Sequence, residues 1–322
     1  MTTPDVLPFL SGDRIRSAVP MPDLLDAVEA AYRDVAGRRD RSPLRSHVEL
    51  GDGSLLLMPG VRIGGEGASV KLVTVMPGNA ERGLPTIHAL VVWFDAVTGR
   101  PLALLDGAAV TAMRTGAASG VGTRLLARPD AETLTVVGAG VQAEWQIRAV
   151  LAARAIRRVL VIGRDGTRRD AFASRMADAL DLEIVGAPDA EGAVRAADVI
   201  CCATTSSTPV FDADWLAPGA HVNGIGAFQL SMVEIPPEAF GRASLVAVDS
   251  IDAAMAEAGD VVAAIEGGFV ERDALVEIGT VDPAWAASRP VDAITVFKSV
   301  GLAIQDVAAA ELAVSASVPT EP

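Results

Sequence analysis

Cysteine is almost missing from this sequence. The two cysteines it has, Cys201 and Cys202, are adjacent in an apolar run, which offers neither a disulfide framework nor the spacing of metal ligands. They read as buried, reduced core residues. Aromatic residues are also scarce, at 4% of the chain, so an aromatic-rich binding surface is excluded. The 50% hydrophobic content, mostly Ala and Val, instead suits the closely packed helices of an α/β fold. Positive charge is in deficit. A net charge of −14 argues against a nucleic-acid footprint, and any tight anionic ligand must find a locally positive pocket. Long apolar runs are absent: the longest uncharged stretch, Trp215 to Val233, contains Pro218, several glycines, His221 and Asn223, a poor membrane span. Residues 1–5 lack the basic and apolar regions of a signal peptide, so the expected location is the cytoplasm. No His or carboxylate spacing argues for a metal, and no Gly-x-Ser-x-Gly elbow for a hydrolase.

What is present is organised around Thr133-Leu-Thr-Val-Val-Gly138-Ala-Gly140-Val141-Gln142-Ala143. An apolar run stops at two glycines and a helical pattern begins. The Gly-x-Gly-x-x-Ala spacing suits a dinucleotide: Gly138 allows the sharp turn, Gly140 lets backbone approach a pyrophosphate, and Ala143 lets helix pack closely on strand. The phosphates would rest on N–H groups at the helix N-terminus, where the dipole favours negative charge. Arg157 to Arg164 supplies a second strand after a crossover of suitable length.

At 322 residues two domains are expected. Apolar residues at helical spacing predict a helix from Met21 to Arg39, with Gly37 as a stop. Leu44 to Leu50, Ser54 to Met58, Ala68 to Met76 and Thr86 to Asp95 read as strands of an antiparallel or mixed sheet. A close-packed helix, Asp106 to Leu126, leads into the dinucleotide strand. Beyond the second strand the pattern alternates: helix 167–180, strand 183–185, helix 190–197 and strand 198–204, ending in the polar loop Thr204 to Pro209. Ligands of doubly wound sheets lie beyond the carboxyl ends of strands, so that loop belongs near the cofactor. His221 to Gly226 and Ser244 to Asp249 continue the sheet. Ile294 to Phe297 is a further strand, Ser299 to Val314 a helix that returns to the first domain, and residues 317–322 a disordered tail.

Three basic residues sit in otherwise apolar segments: Arg45, Lys71 and Arg114. A charge so placed is costly unless it is paired or faces water. Each alone reads equally well as a snorkelling side chain at a sheet edge. Together, in a chain this acidic, they favour an anion site, with Arg offering a planar fork for a carboxylate and Lys a mobile donor whose pKa shifts. His47, two residues after Arg45 on the same strand face, reads as a proton donor or a structural histidine. The choice of cofactor falls to Ile162-Gly163-Arg164-Asp165-Gly166-Thr167-Arg168-Arg169. Where an NAD enzyme usually places a ribose-binding carboxylate, this chain has Gly163 and Arg164, with Thr167 and Arg168 close by, a group suited to a 2′-phosphate. NADPH is therefore preferred, with NADH still possible because Asp165 can turn toward a ribose.

With these residues in place, the chain resembles the ornithine cyclodeaminase/mu-crystallin family over almost its whole length. The matching pieces are Arg45, Met58-Pro59, Val70-Lys71, Pro77-Gly-Asn79, Leu104-Leu-Asp106, Ala112-Met-Arg-Thr115, Gly138 to Ala143, Asn223 to Gly226 and Thr295-Val-Phe-Lys-Ser-Val-Gly301. The resemblance implies a Rossmann-type dinucleotide-binding domain, residues 119–296, inserted in an α+β substrate-binding and dimerisation domain, residues 1–118 and 297–322, with a homodimer as the usual form. It implies that Arg45 and Lys71 bind the substrate carboxylate, with Arg114 beside it and Val300 lining the pocket. It also implies that Thr86, Gln142, Arg164, Thr204 and Ser299 touch the nicotinamide nucleotide. Arg114, Thr115, Gly138, Gly140, Val141, Thr167 and Arg168 complete the expected cofactor contacts.

One departure bears on activity. In the cyclodeaminases the segment after Asn-x-x-Gly carries an aspartate that handles the substrate amine; here Phe228 stands there. A phenyl ring accepts no proton. Gly226-Ala-Phe228 followed by Met232-Val-Glu234 is similar to the members that reduce cyclic imines. The expectation is a reductase of Δ1-pyrroline-2-carboxylate or Δ1-piperideine-2-carboxylate, with Lys71, or a water it orders, as proton source. The alternatives are a cyclodeaminase or amino-acid dehydrogenase of the family, and a non-catalytic NADP(H)-binding protein of mu-crystallin type.

Overall fold

A computed structural model describes residues 6–317. The segment read for a signal peptide, residues 1–5, and the tail beyond Ser317 lie outside the described residues. The chain divides into two compact units, one running to Arg114 and resuming at Leu302, the other running from Thr115 to Gly301. The first boundary falls inside a continuous helix and not at residue 118, and the second falls five residues beyond 296, after the Ser299–Gly301 loop.

The first unit begins with β1 (Phe9–Leu10), α1 (Gly12–Ala18) and α2 (Met21–Ala36). In α2 the apolar spacing becomes a buried stripe of Leu24, Leu25, Val28, Ala31 and Tyr32, and Gly37 caps the end. There follow β2 (Asp40–Arg41), β3 (Ser46–Leu50), β4 (Gly53–Arg62), β5 (Gly67–Val75), β6 (Ile87–Asp95) and β7 (Pro101–Asp106). They form a sheet ordered β1-β7-β6-β5-β4-β2, with β3 also on β4, antiparallel except for β1 on β7. Strand alternation puts Leu56, Met58, Lys71, Val73, Val91 and Leu105 on one buried face, and the C-terminal helix, Ala303–Ser317, packs there, with Ala303 against Leu56, Met58 and Val73. The other face carries Leu57, Leu72, Leu90, Val70, Val92 and Leu104, all only half-buried.

Three details differ from the sequence reading. Arg45 precedes β3 instead of lying inside it. Strand β4 runs past Pro59 to Arg62: β3 flanks it only as far as Leu57 and β2 only from Val61, so the intervening prolyl residue stands where a missing N–H is tolerated. Strand β7, unforeseen because Leu-Ala-Leu-Leu has no period of two, pairs along β6.

Helix α3 (Gly107–Leu126) leads into the second unit, whose strands are β8 (Thr133–Val137), β9 (Arg158–Ile162), β10 (Glu183–Gly186), β11 (Val199–Cys202), β12 (His221–Gly224), β13 (Ala243–Val248), β14 (Leu275–Glu277) and β15 (Ile294–Lys298). They make one wholly parallel sheet in the order β10-β9-β8-β11-β12-β15-β13-β14. The winding outward from β8 to β10, then back to β11 and β12, reverses between β8 and β11. That is the switch point where doubly wound sheets bind ligands. Helices α4 (Val141–Ala153), α5 (Gly166–Leu180) and α6 (Ala190–Arg195) connect the strands, and Leu134, Val136, Ile147, Val150, Val159, Phe172 and Met176 form the core beneath them. Ser299 to Leu302, expected to start the last helix, are instead a loop in which Gly301 has φ +87°.

Candidate active site

The chain contains two lysines, Lys71 and Lys298, and both are buried, at 1% and 0% exposure. Lys71 lies mid-strand in β5, opposite Met58 and Val91. Its Nζ is 2.9 Å from Oδ1 and 2.8 Å from Oδ2 of Asp306, a fully buried carboxylate of the C-terminal helix. Arg114 Nε donates to Oδ1 of the same carboxylate at 3.1 Å, and Nη1 donates to Gln305 Oε1 at 2.9 Å. The Gln305 amide in turn donates to the Tyr32 hydroxyl of α2. Burial pushes the Lys71 ammonium down to about 7; Asp306 pulls it back up, while Arg114 and Arg45 push it further down. Arg45, half-buried, is therefore within electrostatic reach of Lys71. Lys71 and Arg114 against the one carboxylate leave a net positive pocket, which can grip a small acid. Thr86, by contrast, is exposed just before β6.

The second unit holds the nucleotide residues. Gly138 closes β8 with φ +123°, and a Cβ there would sit 2.7 Å from the Ala203 carbonyl, so only glycine lets the β8 and β11 ends approach. Gly140 is the N-cap of α4, where no side chain caps the helix, and a Cβ on it would meet nothing within 4 Å. Val141 is exposed, and Gln142 Oε1 is buried without a hydrogen-bond partner among the described residues. An uncapped helix N-terminus under open space, beside an orphaned polar atom, fits a dinucleotide pyrophosphate. At the end of β9, Asp165 caps α5 by accepting the Arg168 N–H at 3.0 Å. Arg164, Thr167 and Arg168 are exposed there. Thr115 is buried in α3 and its carbonyl accepts from Gln146 at 3.4 Å.

Several residues that build these sites had no role assigned from the sequence. Asp306 and Gln305 orient the cations. Asp249 accepts the Ser299 hydroxyl at 2.8 Å and the N–H groups of Val300 and Gly301 at 2.9 and 2.8 Å, so the Ser299 hydroxyl offers a nucleotide only its lone pairs. Glu234 takes the Thr204 N–H and hydroxyl on Oε2 at 3.0 and 3.1 Å, and the Gly226 N–H on Oε1 at 2.6 Å. Lys298 stands beside Glu234 and Asp260 at 3.8 and 2.7 Å. A usable signal was present: in a chain whose other cations are all arginine, both lysines mark buried carboxylate partners. His47 is exposed on β3; partial burial and then the Arg45 charge hold its pKa below the ordinary histidine value.

The model of the ornithine cyclodeaminase/mu-crystallin family matches residues 8–318. The chain belongs to that family. A Δ1-pyrroline-2-carboxylate reductase from Bacillus cereus is 37% identical over 306 residues, covering 94% of each chain. Among solved structures, the Δ1-pyrroline-2-carboxylate reductase of Thermococcus litoralis, in complex with NADH and L-proline, superposes with a TM-score of 0.90 at 33% identity, covering 97% of this chain and 98% of that one. An archaeal alanine dehydrogenase dimer with bound NAD has a TM-score of 0.87 at 30% identity, covering 97% and 96%. Phe228 lies half-buried in the loop after β12, and no cluster of His, Cys, Asp or Glu among the described residues could hold a metal.

Proposed function

We propose that this protein is an NAD(P)H-dependent reductase of cyclic ketimine carboxylates, converting Δ1-pyrroline-2-carboxylate or Δ1-piperideine-2-carboxylate to L-proline or L-pipecolate. The observation that carries the reading is the buried meeting of Lys71 and Arg114 on Asp306, with Arg45 in charge range. Arg45 and Lys71 grip the substrate carboxylate and Arg114 stands beside it. Positioning of this kind supplies up to roughly 7–11 kcal/mol of the barrier in well-oriented cases. When bound, the reduced nicotinamide supplies the hydride for the imine carbon. Phe228 and Val300 are assigned to the apolar ring of the substrate, and Thr86, Thr115, Gly138, Gly140, Val141, Gln142, Thr204 and Ser299 to the nucleotide.

The cofactor reading is NADPH over NADH. Asp165 is engaged as a helix cap, which supports Arg164, Thr167 and Arg168 as partners of a 2′-phosphate. A homodimer is the proposed assembly, supported by the half-buried apolar face of the first sheet and by the dimeric alanine dehydrogenase relative. The proposed location is the cytoplasm; no helix among the described residues is long and apolar enough to cross a membrane.

Loss of NADPH absorbance with Δ1-pyrroline-2-carboxylate, measured beside ammonia release from ornithine, is the deciding assay. Imine reduction without ammonia release is expected. Ammonia release alone would mean a cyclodeaminase, and nucleotide binding without turnover a binding protein of mu-crystallin type.

A further inference from the structure

We propose that Asp306 is the positioning residue of the cationic pocket: by bridging Lys71 and Arg114 it keeps the buried Lys71 ammonium charged and aims it to protonate the imine nitrogen. The assignment rests on the reductase reading and adds the group that makes Lys71 a proton donor.

The geometry is specific. Both oxygens of Asp306 face Lys71 Nζ, and Oδ1 also takes Arg114 Nε. An ammonium has three N–H donors. Only Oδ1 of Asp306 takes a hydrogen bond from it, so donors remain for the carboxylate of a bound acid and for its imine nitrogen. Arg114 is locked from two sides, by Asp306 through Nε and by Gln305 through Nη1, so its guanidinium plane is set before substrate arrives. The charged groups facing Lys71 are Asp306 from the C-terminal helix, Arg114 from α3 and Arg45 from the segment before β3. Asp34 of α2 and Glu311 of the C-terminal helix are instead taken up by Arg62, at 2.6 and 3.7 Å.

Residue choice points the same way. Of the 27 lysine and arginine side chains, all but Lys71 and Lys298 are arginine, a group that does not deprotonate in proteins. At position 71 the chain uses the cation that can give up a proton. In the proposed step an Nζ–H bond of Lys71 breaks and an N–H bond forms on the imine, making it an iminium. Its carbon then accepts the hydride pair, and neutral Lys71 regains a proton from water. Burial, set against the Asp306 charge, leaves Lys71 titrating at about 7, where loss and recovery of a proton are both accessible.

The full-length protein labelled with [13C]lysine tests this, because two lysines give two Cε signals and Lys71→Arg identifies its own by removing it. In the wild type the Lys71 signal should titrate near neutrality, and the upper limb of the kcat/KM profile for Δ1-pyrroline-2-carboxylate should fall at the same pH. In Asp306→Asn both should move to lower pH by about one unit or more, and Asp306→Glu, with the charge restored, should bring both back. Lys71→Arg should lose the limb and roughly a hundredfold in kcat, with a smaller change in KM. A wild-type limb that does not follow the Lys71 signal, or a limb unmoved in Asp306→Asn, overturns the assignment. Should Asp306→Asn fail to fold, the wild-type coincidence and Lys71→Arg decide alone. Absence of wild-type turnover on every imine would defeat the reductase reading and this step with it; an unmoved Lys71 signal in Asp306→Asn would defeat only the role of Asp306.

Discussion

One oxygen of Glu234 holds the N–H and hydroxyl of Thr204, and the other holds the N–H of Gly226. A single buried carboxylate thus fastens the loop after β11 to the loop after β12, at the carboxyl end of the sheet where the nucleotide is assigned. The approach is so close that a Cβ on Gly226 would lie 2.0 Å from the Thr204 carbonyl. Replacing Glu234 by Gln leaves one acceptor oxygen and turns an NH2 group toward backbone donors. Each buried donor left unpaired costs about 1–3 kcal/mol. We expect Glu234→Gln to fold with a lowered Tm and to bind NADPH roughly tenfold more weakly, as read by fluorescence titration. An unchanged affinity in the folded variant would show that this clamp does not shape the nucleotide site.

Acid should unfold the second unit through His221. The ring is fully buried, with Nδ1 2.9 Å from the Thr295 hydroxyl and Nε2 3.0 Å from Asn223 Oδ1. Burial lowers its pKa from 6.5 to about 3. The folded chain therefore keeps His221 neutral while the unfolded chain protonates it. Its contribution to stability is intact above pH 6.5 and is lost as pH falls toward 3, by about 5 kcal/mol at most. Urea unfolding at stepped pH should show a shallower decline between these values for His221→Gln than for the wild type. Parallel slopes would mean that another group, not His221, drives the acid transition.

The residues of the two units were legible to different degrees. Gly138, Gly140 and Ala143 announce a dinucleotide turn because their job is backbone geometry, which sequence spacing records. Lys71 and Arg114 stood out because a charge in an apolar run needs an explanation. Their shared partner did not: Asp306 lies 235 positions from Lys71, in a helix whose buried residues extend almost all round, so no local period distinguishes an inward carboxylate. The roles of Asp249 and Glu234 were hidden for a related reason. Each acts by accepting backbone N–H groups, and a loop's unpaired donors leave no trace in composition. The short strands β1 and β2 have two residues each, too few for any alternation to show.

The cofactor preference can be separated from cofactor binding. Arg164 and Arg168 are exposed at the end of β9, while Asp165 is spent on the Arg168 N–H. If these arginines meet a 2′-phosphate, the pair Arg164→Ala and Arg168→Ala removes charge-assisted hydrogen bonds that NADH never makes. Such bonds contribute about 1.5–3 kcal/mol. The double variant should therefore lose roughly 10- to 100-fold in NADPH affinity and keep its NADH affinity within about threefold. The NADPH loss should shrink as salt is raised. Equal effects on both nucleotides would remove the case for NADPH.

The outer face of the first sheet calls for a partner. Register places Pro59, Val70, Val92, Leu104 and Phe9 in one row across five strands, and Leu57, Leu72 and Leu90 in the next. Phe9 is 56% exposed, and Val48 and Leu50 on the neighbouring β3 are 50% and 46% exposed. Contiguous apolar surface of this kind is uncommon on a soluble monomer, and a second copy that covers it would gain about 25 cal/mol for each Å2 buried. Light scattering should thus report about twice the 33.2 kDa chain mass at micromolar concentration. Leu72→Arg puts a charge in the centre of the row, where a dimer would have to desolvate it but a monomer would leave it in water. The variant should elute as a monomer with a lowered Tm. A wild type already monomeric at that concentration would leave the face without the partner proposed for it.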